Sequence, residues 1–205
     1  MSKPRLIYFD FAGSRGEECR LALHLAGIAF DDVRISQAEW PTLKSTTPFG
    51  ALPVLELPGK PPLADSNAIL VYVGRQSDLH PKDDFEAARH EALMGYVEEL
   101  RYKVGATIRI PDEEQKRRER EELARSYLPA WGQNVEKQLG DHPFFAGTSI
   151  NVVDLKLYLI VRWFASGSVD HIPATVFDHC PKLKRVFQSV GEHAGVKSWL
   201  HRHTG

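Results

Sequence analysis

Cysteine is scarce in this chain: two residues in 205, Cys19 and Cys180. Neither stands in CxxC or metal-ligand spacing, which excludes a disulfide framework or zinc ribbon as the basis of the fold. Sparse cysteine fits a reducing compartment. Net charge is scarce too. With 26 basic and 27 acidic residues the formal charge is −1, so no bulk charge recruits nucleic acid or an anionic membrane. No apolar run is long enough to span a bilayer, and the opening MSKPRL passes into a strand-like segment without an apolar signal core. A cytoplasmic protein with no nucleic-acid or membrane partner is expected. The nine histidines show no HxxxH spacing, so no metal site is expected. Internal repeats and low-complexity segments are also missing.

What is present is the composition of an ordinary globular protein, 42% apolar and 26% charged. The length suits one large domain or two small ones. Arg5–Phe9 reads as a strand, Glu17–Ala26 as a helix closed by Gly27, and Ala29–Ile35 as a second strand. That order is a βαβ unit with a parallel pair. Trp40–Lys44 can form a helical turn. Pro53–Leu57 and Lys60–Ala64 read as strands around a Pro58-Gly59-Lys60 turn, the second an edge strand because of Pro61 and Pro62. Ser66–Arg75 is then a helix. Residues 78–84 (DLHPKDD) turn polar and read as a linker.

Beyond the linker the pattern is helical. Asp112–Arg125 (DEEQKRREREELAR) reads as a solvated face laced with i,i+4 ion pairs, with Tyr127–Leu139 continuing the helix. Ser149–Phe164 is the most apolar stretch and the candidate central helix. Lys182–Ala194 and Val196–His203 finish the chain. The expected division is an α/β domain over 1–78, a linker over 79–84 and an all-helical domain over 85–205.

Three local features between residues 40 and 66 can carry chemistry. Pro53 lies between apolar residues at a strand start, where a cis bond is open to it. A cis bond would turn the Leu52 backbone toward solvent, where it could pair with a bound peptide like an added strand; a trans bond would merely begin the strand. Asp65-Ser66 stands where a strand meets a helix. It is either a plain cap or an amino-acid site, with the carboxylate on Ser66 and the helix N-terminus and the amine on Asp65. Trp40 and Lys44 share a helix face. They are either surface residues or a grip for a second carboxylate.

Taken together, WPTLKSTTPFGALPVLELPGKPPLADS, Tyr8-Phe9 at the first strand end, Ser14-Arg15-Gly16-Glu17 and Arg20 resemble a glutathione transferase. The sigma class is most similar, the class that includes glutathione-dependent prostaglandin D synthases. Gly147-Thr148-Ser149 followed by Asn151-x-x-Asp154 resembles the family's helix-capping motif, a structural role. The resemblance implies a thioredoxin-like N-terminal domain, an all-helical C-terminal domain and a cytoplasmic, detoxifying homodimer. It implies glutathione as co-substrate, held by Trp40, Lys44, Ala51, Leu52, Pro53, Asp65 and Ser66. By the same resemblance Tyr8 donates to the glutathione sulfur, Arg15 supplies a nearby cation, and the thiolate attacks a small hydrophobic electrophile. Phe11, Tyr102, Gly105 and Ile108 are the candidate electrophile contacts, with Trp199 or His203 as lids.

The chain departs from the family pattern in several places. One extra residue stands between Tyr8 and Arg15. Ser14 replaces the usual glycine, Gly16 the usual alanine, and Asp65 the sigma-class glutamine. Gly95 stands where an acidic residue is frequent, leaving Glu98 or Glu99 to substitute. Isomerase or peroxidase chemistry uses the same thiolate, and a non-catalytic binding or structural protein uses the same fold.

Overall fold

The computed structural model describes residues 3–203 and contains two compact units. One runs to Ala87 and takes in the segment from Glu192 onward; the other is Ala88–Gly191.

The first unit is built on four strands: β1 (Arg5–Phe9), β2 (Asp31–Ile35), β3 (Val54–Glu56) and β4 (Leu63–Ala64), in the order β2-β1-β3-β4. β1 pairs with β2 in parallel and with β3 antiparallel. The parallel crossover is helix α1 (Ser14–Leu25), which buries Cys19, Leu21, Ala22 and Leu23. The short α2 (Trp40–Leu43) and a 3₁₀ turn (Lys44–Thr46) follow β2, and α3 (Ser66–Arg75) follows β4. The βαβ and ββα order agrees with the sequence pattern, while the boundaries differ. α1 begins three residues earlier than expected, at Ser14, whose φ of 55° lies in the left-handed region. β4 is reduced to two residues, because Pro61 and Pro62 have no N–H to give a ladder.

The second unit is helical. It contains most of α4 (Asp84–Thr107), then α5 (Glu113–Glu122), α6 (Leu128–Gln138), α7 (Val152–Ala165) and all but the last residue of α8 (Pro181–Glu192). The continuous helix expected across 112–139 is interrupted by a π-helical turn at Leu123–Tyr127. Pro129 follows it, and without an N–H it cannot bond back to the Arg125 carbonyl. α7 is the core element, buried from Val152 to Val161 and again at Phe164. It starts after Asn151, which forms a capping box with Asp154. The Asp154 carboxylate accepts from the N–H of Asn151 at 2.8 Å and of Phe145 at 2.7 Å. Lys156, fully buried on the same helix, pairs with Glu98, which also receives Arg101 at 3.0 Å.

The C-terminal helix α9 (Ala194–His203) belongs to the first unit and packs on α1. By its contacts this last helix groups with the α/β unit. Among the described residues no helix is long and apolar enough to cross a membrane.

Candidate active site

Tyr8 comes from β1, one residue before the strand ends, and is 5% exposed. Its ring lies 5.6 Å from those of Phe9 and Phe11. Phe9 in turn meets Trp40 edge-on at 5.8 Å, so an aromatic run joins Tyr8 to α2. The opposite side of Tyr8 rests on the first turn of α1. A Cβ at Gly16 would come within 2.0 Å of the Tyr8 ring, so the ring uses the volume that any other residue's side chain would take. That is the physical reason for glycine at position 16.

Arg20 is fully buried and lies beneath the Tyr8 ring, its guanidinium carbon 5.8 Å from the ring centroid. Its donors go to Asp32 at 2.9 Å, Glu17 at 3.2 Å and the carbonyls of Phe11 and Phe9 at 3.0 and 3.2 Å. Those two carbonyls flank Asp10 in the segment carrying the extra residue. Arg15 is half-buried on the first turn of α1.

The second cluster is assembled by the β3–β4 register. Val54 faces Ala64, which brings Pro53 and Asp65 side by side at the ends of their strands. The Leu52–Pro53 bond is cis. Asp65 is the N-cap of α3, with φ 77°. It accepts from Asn67 and Ala68 N–H at 2.9 and 3.1 Å, both on Oδ1, and its side chain is exposed. Ser66 beside it is 1% exposed, and its Oγ has no hydrogen-bond partner among the described residues. A buried hydroxyl at a helix N-terminus with nothing to bond is costly and rare in a settled core. It fits an anionic ligand that completes it. Ala51 is exposed and Leu52 half-buried. Lys44 is exposed, its stem against Gly50, where a Cβ would lie 3.5 Å from Lys44 Cε.

Residues 4–75 match the glutathione S-transferase N-terminal domain and residues 98–203 its C-terminal domain. The chain belongs to the glutathione S-transferase family. Glutathione S-transferase 1 of Ascaris suum is 34% identical over 98% of this chain and 96% of that one. Among solved structures, the prostaglandin synthase D of Nilaparvata lugens superposes with a TM-score of 0.86 at 26% identity, covering 98% of each chain. A monomeric glutathione S-transferase of the hookworm Necator americanus superposes at 0.78, with 28% identity over 98% of this chain and 97% of that one. The family uses glutathione as co-substrate, and the orphaned Ser66 hydroxyl fits that ligand's carboxylate.

The structure brings some of the sequence-predicted residues together within one unit. Tyr8 and Phe11 stand together, as do Pro53, Asp65 and Ser66. Tyr102, Gly105 and Ile108 belong to the helical unit, where Tyr102 and Ile108 project into solvent. Glu98 is committed to Arg101 and Lys156 inside that unit, so it does not substitute for an acid at position 95. Trp199 is no lid. It is buried on α1 and donates to Glu17 at 2.6 Å. Sequence reasoning missed this Trp199–Glu17–Arg20 set. Its one visible signal was a pair of opposite charges, Glu17 and Arg20, three residues apart in the first helix.

Proposed function

We propose that this transferase adds the glutathione thiolate to small hydrophobic electrophiles, with Tyr8 donating its hydroxyl hydrogen to the sulfur. The observation that carries this reading is the buried, unpartnered Ser66 Oγ at the start of α3, beside the exposed Asp65, whose Oδ1 takes two helix amides. The γ-glutamyl head of glutathione presents a carboxylate and an ammonium. Ser66 and the first amides of α3 take the carboxylate; Asp65 takes the ammonium. The Leu52 backbone, flanked by Ala51 and Pro53, pairs with the cysteinyl peptide. Trp40 and Lys44 hold the glycyl carboxylate.

A free thiol titrates near about 8.5, so little of it is ionised at neutral pH. A hydrogen bond to the anion favours ionisation, and each tenfold gain in thiolate needs about 1.4 kcal/mol. One charge-assisted bond from Tyr8, helped by the Arg15 cation, is of that size. The sulfur then forms a bond to the electrophilic carbon while the leaving group departs with its electron pair. Phe11, beside Tyr8, supplies an apolar contact for that electrophile. We assign the enzyme to the cytoplasm, to a sigma-like class and to detoxification as a homodimer. The likeness to a prostaglandin synthase D favours a second reading, a glutathione-dependent isomerase using the same thiolate.

Calorimetric titration of glutathione tests the binding half. Ser66→Ala is expected to weaken affinity about tenfold, the loss of one charge-assisted hydrogen bond. Unchanged affinity removes Ser66 from the site. In parallel, Tyr8→Phe is expected to retain binding and lose most of the conjugation rate with an aryl halide.

A further inference from the structure

We infer that Glu17 and Trp199 are positioning residues for Tyr8, and that the C-terminal helix sets this aromatic through a buried relay running Trp199–Glu17–Arg20. The inference rests on the reading that Tyr8 serves the glutathione sulfur. The relay is continuous in hydrogen bonds. Trp199 Nε1 donates to Glu17 Oε1 at 2.6 Å, and Glu17 Oε2 receives Arg20 Nη1 at 3.2 Å. Arg20 Nε donates to Asp32 Oδ1 at 2.9 Å. Arg20 also grips the carbonyls of Phe9 and Phe11 and lies beneath the Tyr8 ring. Glu17 and Arg20 are fully buried.

Burial gives the relay its stiffness. A carboxylate out of water must keep every donor it has, because an unmet charge is expensive there. Each oxygen of Glu17 has a different owner: the C-terminal helix on one, Arg20 on the other. Remove the indole N–H, and Oε1 turns toward the nearest remaining cation, Arg20. Bidentate geometry with Glu17 is favourable for a guanidinium, but it draws the Arg20 nitrogens away from Phe9 and Phe11. The backbone on both sides of Asp10 and the face under Tyr8 then lose their fixed partner. α9 is built to hold the indole in place. A Cβ at Gly195 would lie 2.4 Å from Leu25 of α1, so the first turn of α9 is seated tightly. Phe30 stacks on Trp199 at 6.0 Å and His203 at 3.8 Å.

The test compares Trp199→Phe, which keeps an aromatic but deletes the donor, with Phe30→Leu, which loosens the same packing and leaves the hydrogen bond. Two readouts are taken: the NMR signal of the Tyr8 ring, assigned by its loss in Tyr8→Phe, and steady-state conjugation kinetics. The expected result for Trp199→Phe is a moved Tyr8 signal and a kcat lowered about tenfold, with KM for glutathione within about twofold. Phe30→Leu is expected to change neither. If both variants behave alike, or Trp199→Phe leaves the Tyr8 signal in place, α9 is only a packing element and the relay is wrong. Should Trp199→Phe fail to fold, Glu17→Gln takes its place, and an unmoved Tyr8 signal there overturns the relay equally. An inactive wild type, or a Tyr8→Phe enzyme at full rate, counts against the transferase reading alone; the Tyr8 signal still decides the relay.

Discussion

At Gly16 the helix backbone and the Tyr8 ring meet with no space for a methyl group between them. Gly16→Ala therefore has to push the ring or the first turn of α1 aside. Overpacking of this kind costs about 1–3 kcal/mol, and here the part that yields is the proposed sulfur ligand. The expected outcome is a lower melting temperature together with a loss of kcat larger than the loss of glutathione affinity. A Gly16→Ala enzyme with wild-type kcat would show that the ring has room to spare. Nothing in the linear order of residues announces this contact, because it joins a strand residue to a helix residue through bare volume. Ser14 is a further case. The sequence shows a serine in place of a glycine, and only the backbone reveals that the position is left-handed, at φ 55°.

Elements were legible where periodicity or punctuation is strong and illegible where one missing N–H decides. The βαβ start, the ββα that follows and the buried apolar α7 are all visible in residue order, since each depends on local pattern. The π-helical turn before Pro129 and the two-residue β4 depend on ladder bonds that prolines withhold. Site residues followed the same division. The Asp65-Ser66 pair at a strand-to-helix junction was readable, whereas the Trp199–Glu17 bond spans 182 positions and left no local trace. The capping box of α7 carries a prediction of its own. Burial pushes the Asp154 carboxyl up to about 7, against the pull of the Phe145 and Asn151 amides. A carboxyl whose folded value lies above its unfolded 3.8 binds more protons when folded. Its contribution is fully present below that unfolded value and is lost as pH rises through about 7. Relative to Asp154→Asn, which cannot ionise, the wild type should lose stability across that interval in denaturant titrations. A stability gap independent of pH would show that the amides hold the carboxylate ionised throughout.

For the whole molecule the open question is association. Phe49 is 76% exposed and Phe85 73% exposed, both in the first unit. The proposed homodimer predicts that the wild type sediments as a dimer and that Phe49→Ser shifts it toward monomer. A wild type that sediments as a monomer at all concentrations would align it instead with the monomeric hookworm relative. The placement of α9 bears on how the molecule is made. Residues from Glu192 onward belong with those up to Ala87, and a ribosome releases them after the helical unit. Strands β1 to β4 emerge early, yet α1 waits with an uncovered face, and Glu17 without its indole, through synthesis of the entire helical unit. Vectorial synthesis thus closes this unit in reverse: its strands leave the ribosome before the helical unit, and it is finished after it.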